Sequence, residues 1–69
     1  MKLKSYSKKE LAVAYAPDLT LTSALRRLRQ WINDDHPLLE ALTQAGYRPE
    51  QRVLTIKQVK ILFEFIGEP

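Results

Sequence analysis

Two reciprocal capping patterns, Ser7-Lys8-Lys9-Glu10 and Thr55-Ile56-Lys57-Gln58, mark where a first and a last helix begin. In each, the hydroxyl accepts from the backbone N–H three residues on, while the Glu or Gln side chain reaches back to the cap. The first pattern opens a short helix from Lys8 to Tyr15. Pro17 ends it, because the residue before a proline is driven out of the helical region. The second opens a helix to Ile66, stopped by Gly67 and Pro69. Between them Thr20 caps a helix running to Asn33. Asp34 or Asp35 then caps a third helix, Pro37 to Ala45, with the proline tolerated in its first turn and Gly46 as its left-handed stop. Residues 1–6 read as an extended or frayed lead-in. Residues 47–54 read as a loop in which Arg52-Val53-Leu54 is a short strand or extended arm. The expectation is one all-α domain over residues 1–69: four small helices, a helix-turn-helix-like N-terminal pair, and at most a vestigial wing.

Helical spacing selects the expected core: Leu11 and Tyr15, then Leu25, Leu28, Trp31 and Ile32, then Leu42, and finally Val59, Leu62 and Phe63. A chain of 69 residues buries only about 60% of its unfolded surface, so this core has little to spare. The chain has no cysteine and one histidine. Disulfide staples, thiolate metal sites and histidine clusters are therefore excluded, and no cofactor is expected. Ile61 and Phe65 lie off the centre of the last stripe. Two large apolar groups outside the core suggest a homodimer contact through that helix. The start, MKLKSYSKKEL, lacks an apolar signal core and no apolar run approaches membrane-spanning length, so a cytoplasmic protein is expected.

The helix Thr20–Asn33 carries the functional signal. At about 100° per residue, Ser23, Arg26, Arg27, Gln30 and Asn33 point away from its apolar stripe, with Arg29 at the edge. Arg, Gln, Asn and Ser are the side chains that pair with phosphates and base edges in a DNA groove. Charge is skewed the same way: residues 1–33 hold seven Lys or Arg against Glu10 and Asp18, a balance of +5, within a net charge of +3. A short capped helix, a tight turn and a second helix with a polar outer face form a helix-turn-helix order, in which the second helix enters the major groove. Lys8 and Lys9 would add phosphate contacts and Arg48 a contact from the loop. Double-stranded DNA is the expected partner. The alternative is a protein-interaction adaptor or small oligomer subunit without a nucleic-acid role. No catalytic constellation appears: His36 stands alone, Asp34 and Asp35 are placed to cap a helix, and both glycines end helices. The chain reads as not an enzyme.

Ser5 to Ala12, Trp31-Ile32, Gly46-Tyr47-Arg48, Leu54-Thr55 and the closing Leu62 to Pro69 resemble a family of short bacterial proteins that carry a domain-of-unknown-function label. That likeness covers nearly the whole chain and implies no activity. More distantly, the sequence resembles the winged-helix domains of MerR-type regulators and phage excisionases. Tyr6 to Ala12 match their first helix start, Leu25 to Trp31 an Arg-rich recognition helix, Gly46 to Arg48 a wing, and Thr55 to Leu62 a Thr-capped helix. The resemblance implies a bare DNA-binding module with Arg26, Arg27 and Gln30 facing the groove and Arg48 touching phosphate from the wing. The chain departs from that pattern in its extra helix, Pro37 to Ala45, and in a short wing segment interrupted by Pro49.

Overall fold

Ser7 caps the first helix as its local sequence requires. In the computed structural model, which describes residues 1–69, Ser7 Oγ accepts from Glu10 N at 3.1 Å and Glu10 Oε1 accepts from Ser7 N at 2.9 Å. The helix so started, α1, spans Lys8–Tyr15. Thr20 caps α2 (Leu21–Asp34) by accepting from Ser23 N at 3.3 Å. Of the two candidate caps for the third helix, Asp35 is the one used. Its Oδ1 accepts from Leu38 N at 3.2 Å and opens α3 (His36–Gln44), while Asp34 is the last residue of α2. The last helix, α4 (Ile56–Ile66), carries the second complete capping box, Thr55 with Gln58.

Gly46 ends α3 with φ +87°, a conformation that costs an L side chain energy and glycine almost nothing. Its N–H reaches Thr43 O at 3.0 Å and the Tyr47 N–H reaches Leu42 O at 2.9 Å. Those two bonds satisfy terminal carbonyls of α3 and fold Tyr47 back beside Leu42, both of them buried.

The domain is mostly helical but not all-α. Tyr6–Ser7 (β1) pairs antiparallel with Val53–Leu54 (β2), Tyr6 opposite Leu54 and Ser7 opposite Val53. The lead-in is therefore not frayed at its end. Tyr6 is 5% exposed, its hydroxyl donates to Lys2 O, and Ser5 Oγ donates to Leu54 O at 2.6 Å. The segment expected as a wing contains no hairpin. Arg48 to Gln51 make one turn, closed by Gln51 N on Arg48 O at 3.0 Å, with Pro49 at the second position that suits its fixed φ.

Twelve buried residues from all four helices, both strands and Tyr47 form a single core. Leu11, Leu28, Ile32, Leu42, Val59 and Leu62 lie inside it as their spacing predicts. Tyr15, Leu25, Trp31 and Phe63, also expected there, pack on its edge instead. Tyr6, Leu38, Tyr47 and Leu54 fill the interior with them. The displaced aromatics find partners at the rim: Tyr15 and Trp31 meet edge to face at 5.7 Å, and the Tyr15 hydroxyl donates to Gly67 O. Edge-to-face contact is the arrangement that ring quadrupoles favour. At the start of α4 the apolar Ile56 is 55% exposed while the polar Gln58 is only 1% exposed.

Gln58 is tolerated inside because its polar atoms are satisfied. Nε2 donates to Ala45 O at 3.1 Å, while Oε1 accepts from Thr55 N at 3.1 Å and from Gln51 Nε2 at 2.6 Å. One side chain thereby joins the end of α3, the 48–51 turn and the start of α4. No helix is long and apolar enough to cross a membrane.

Candidate functional site

α1 packs chiefly against α2, and the two are joined by the turn at Pro17 and Asp18, in which Leu19 N donates to Ala16 O at 3.2 Å. Ala24, Leu28 and Ile32 face inward from α2. With about 100° per residue, Ser23, Arg26 and Gln30 then project on the far side, and Arg27 and Arg29 occupy opposite flanks. All five of these residues are exposed. Ser23 is partly committed to the cap, since its Oγ accepts from Thr20 Oγ1 at 3.1 Å.

The protein's one ion pair joins the Met1 ammonium to Glu68 at 3.2 Å. No guanidinium of Arg26, Arg27, Arg29, Arg48 or Arg52 is therefore neutralised by a carboxylate. An unpaired arginine keeps its full fork of donors for an external oxygen. Arg48 sits exposed at the head of the 48–51 turn.

Lys8 does not stand at the surface where its sequence position put it. It is 6% exposed, its Nζ donates to Pro49 O at 2.7 Å, and the ammonium lies over the Tyr47 ring. That contact set anchors the Lys8 side chain within the fold, where it also borders a cleft. Tyr47, carried inward by the glycine-closed end of α3, gives the lysine stem an aromatic wall. Lys9, next along α1, is exposed as expected.

The structure brings Lys8 and Lys9 together with two residues that periodicity left unassigned, Arg29 and Arg52. These four line a cleft of about 340 Å³ with Leu25 and Glu50. Backbone geometry fixes one wall of it, because Lys8 N donates to Arg52 O at 2.8 Å and so ties the 49–52 segment to the start of α1. Leu25 and Arg29 share a wall because residues four apart on a helix are neighbours. That spacing was the available signal for Arg29. Arg52 had none, since its place depends on strand pairing. Arg26, Arg27, Gln30, Ser23 and Arg48 do not line the cleft.

Two groups titrate away from their ordinary values. The Glu10 carboxyl is lowered by hydrogen bonds from the Ser7 backbone and hydroxyl, which favour its charged form. The Tyr15 hydroxyl is pushed up to about 12, first by desolvation and then by the nearby Glu68 charge. Ion-binding clusters of three or more His, Cys, Asp or Glu do not occur. His36 is exposed at the start of α3 and lines a shallow groove with Trp31, Asp35 and Ile66.

Comparison with curated proteins and with solved structures yields no match. Residues 2–69 match the family described as "Domain of unknown function (DUF4248)", which is nearly the whole chain, and the protein belongs to that family.

Proposed function

We propose that this domain binds duplex DNA, as a small regulator or accessory factor, with the outer face of α2 in the major groove. The observation that carries the reading is that Arg26 and Arg27, exposed and without a carboxylate partner, stand with exposed Gln30 on a helix of 14 residues whose opposite face is buried. Such side chains make bidentate contacts with guanine and adenine edges. Lys9 and Arg48 serve as phosphate contacts beside it. The test is a salt-dependent titration on mixed-sequence duplex. Wild-type affinity falls with salt by a log–log slope of roughly 0.9 per neutralised phosphate, and the Arg26→Ala, Arg27→Ala double variant binds more weakly. Equal binding by the double variant, or none by the wild type at low salt, removes the reading.

A second reading is self-association through α4. Phe65 is 44% exposed, and covering it with a second copy would take that apolar surface out of water. Ile61, one turn earlier, is half-buried and already packs on the core, so it contributes only its outer edge. Sedimentation that stays monomeric at high concentration removes this second reading.

A further inference from the structure

We propose that the cleft between the start of α1, the flank of α2 and residues 49–52 is a phosphate-binding site. It stands apart from the outer face of α2, because neither Arg26, Arg27 nor Gln30 lines it. Three separate stretches of the chain deliver Lys8, Lys9, Arg29 and Arg52 to one concave surface, against the single acid Glu50. None of these cations has a carboxylate partner in the folded protein. Like charges gathered in a cleft repel, and the field they focus raises the local concentration of anions.

Lys8 sharpens the argument. Lys8 as a whole is only 6% exposed, and its ammonium, at the cleft, is held only by a neutral carbonyl, Pro49 O, and the face of Tyr47. Burying a charge without a counter-charge is costly. An anion seated in the cleft supplies that counter-charge, with Lys8 as a fixed positive floor. Arg29 and Arg52 are free to present planar forks, the geometry that grips phosphate oxygens in pairs. Leu25 and Pro49 give the cleft an apolar wall, and four cations against one acid make phosphate the part of a ligand that it holds. Two sources carry that chemistry: a phosphodiester of a nucleic-acid strand, or the phosphate end of a small molecule.

The experiment titrates the full chain with inorganic pyrophosphate, and separately with a short mixed duplex, at low salt. Arginine Nε and backbone NMR signals report the position of binding. Pyrophosphate is expected to shift Arg29, Arg52 and Lys9 saturably. The Arg29→Gln, Arg52→Gln pair should lose about tenfold or more in affinity, and the Arg26→Gln, Arg27→Gln pair should be unchanged. Glu50→Gln removes the only opposing charge and should tighten binding several-fold, which also serves as the test should the double variant fail to fold. Loss of duplex affinity in the Arg29, Arg52 variant identifies a strand phosphate as the source. Unaltered duplex binding, or no duplex binding at all, beside weakened pyrophosphate binding identifies a small molecule; the latter result would remove the α2 reading while this one stands. The proposal is overturned if pyrophosphate gives no saturable shift and duplex affinity is indifferent to Arg29, Arg52 and Glu50. It is equally overturned if the shifts follow Arg26 and Arg27 instead.

Discussion

The Lys8 ammonium lies 4.7 Å from the centre of the Tyr47 ring, so the first turn of α1 is held against the segment that follows α3. The same nitrogen donates to Pro49 O at 2.7 Å. Lys8→Met keeps most of the stem and removes both polar contacts. The lost hydrogen bond and cation–π contact, about 1–3 kcal/mol together, are set against the desolvation cost that the neutral Met no longer bears, so a net loss below that sum is expected. Urea unfolding measures it, and a midpoint equal to wild type would mean that the ammonium contributes nothing net.

Leu28 occupies the middle of the inward face of α2 and is almost wholly buried. Leu28→Ala is expected to cost about 2–5 kcal/mol through lost transfer energy and the cavity left behind. Arg26→Ala, on the opposite face, should stay within about 0.5 kcal/mol of wild type. Thermal and urea unfolding of the pair tests the phase of the helix, and similar losses from both would show the faces to be misassigned.

A Cβ at Gly46 meets no atom within 4 Å, yet its φ is +87°. Gly46→Ala therefore isolates a backbone effect from a steric one. The expected cost is about 1–2 kcal/mol, seen as a lower unfolding midpoint with an unchanged denaturant slope. A neutral result would require the end of α3 to relax out of its left-handed turn, which the loss of the Tyr47 N to Leu42 O bond would reveal in amide exchange.

Tyr15 gives a pH dependence whose sign is fixed. Its proton is released near 10 from an ordinary tyrosine and only at about 12 in the fold. Between those values the native protein binds the extra proton. The contribution is thus fully present below pH 10 and is lost as pH rises towards 12. The stability difference between wild type and Tyr15→Phe should shrink across that window. A difference independent of pH there would count against the burial of the hydroxyl.

How much of this was legible depended on whether a residue's partner lay nearby in sequence. Ser7 with Glu10, Thr20 with Ser23, Thr55 with Gln58 and Gly46 with Thr43 each act within one helical turn, and they mark the starts of α1, α2 and α4 and the end of α3. Asp34 and Asp35 were both competent caps, and only the hydrogen bond to Leu38 distinguishes them. The β1–β2 pair was not readable as a sheet because two residues show no alternation. Lys8 read as surface because a lysine in a first turn normally is; Tyr47 and Pro49, which bury it, arrive from across the chain. Gln58 had a legible role as a cap partner. Its second role, reaching Ala45, required the fold. In the same way, helical periodicity put Arg29 on an edge of α2, but only the fold shows that this edge borders Lys9 and Arg52.

The pairing of Tyr6 with Leu54 and of Lys8 N with Arg52 O also governs the order in which the protein can assemble. α1 and α2 are near neighbours and can meet while the chain is still being made. β1 has no strand to join until residues 53–54 have been synthesised, and closing so long a loop exacts entropy before any of its contacts form. A nascent chain arrested before Arg52 would hold Tyr6 in water and leave Lys8 without its carbonyl. Completion of the domain therefore falls after translation of its last quarter, and the cleft beside Lys8 comes into being only at that final step.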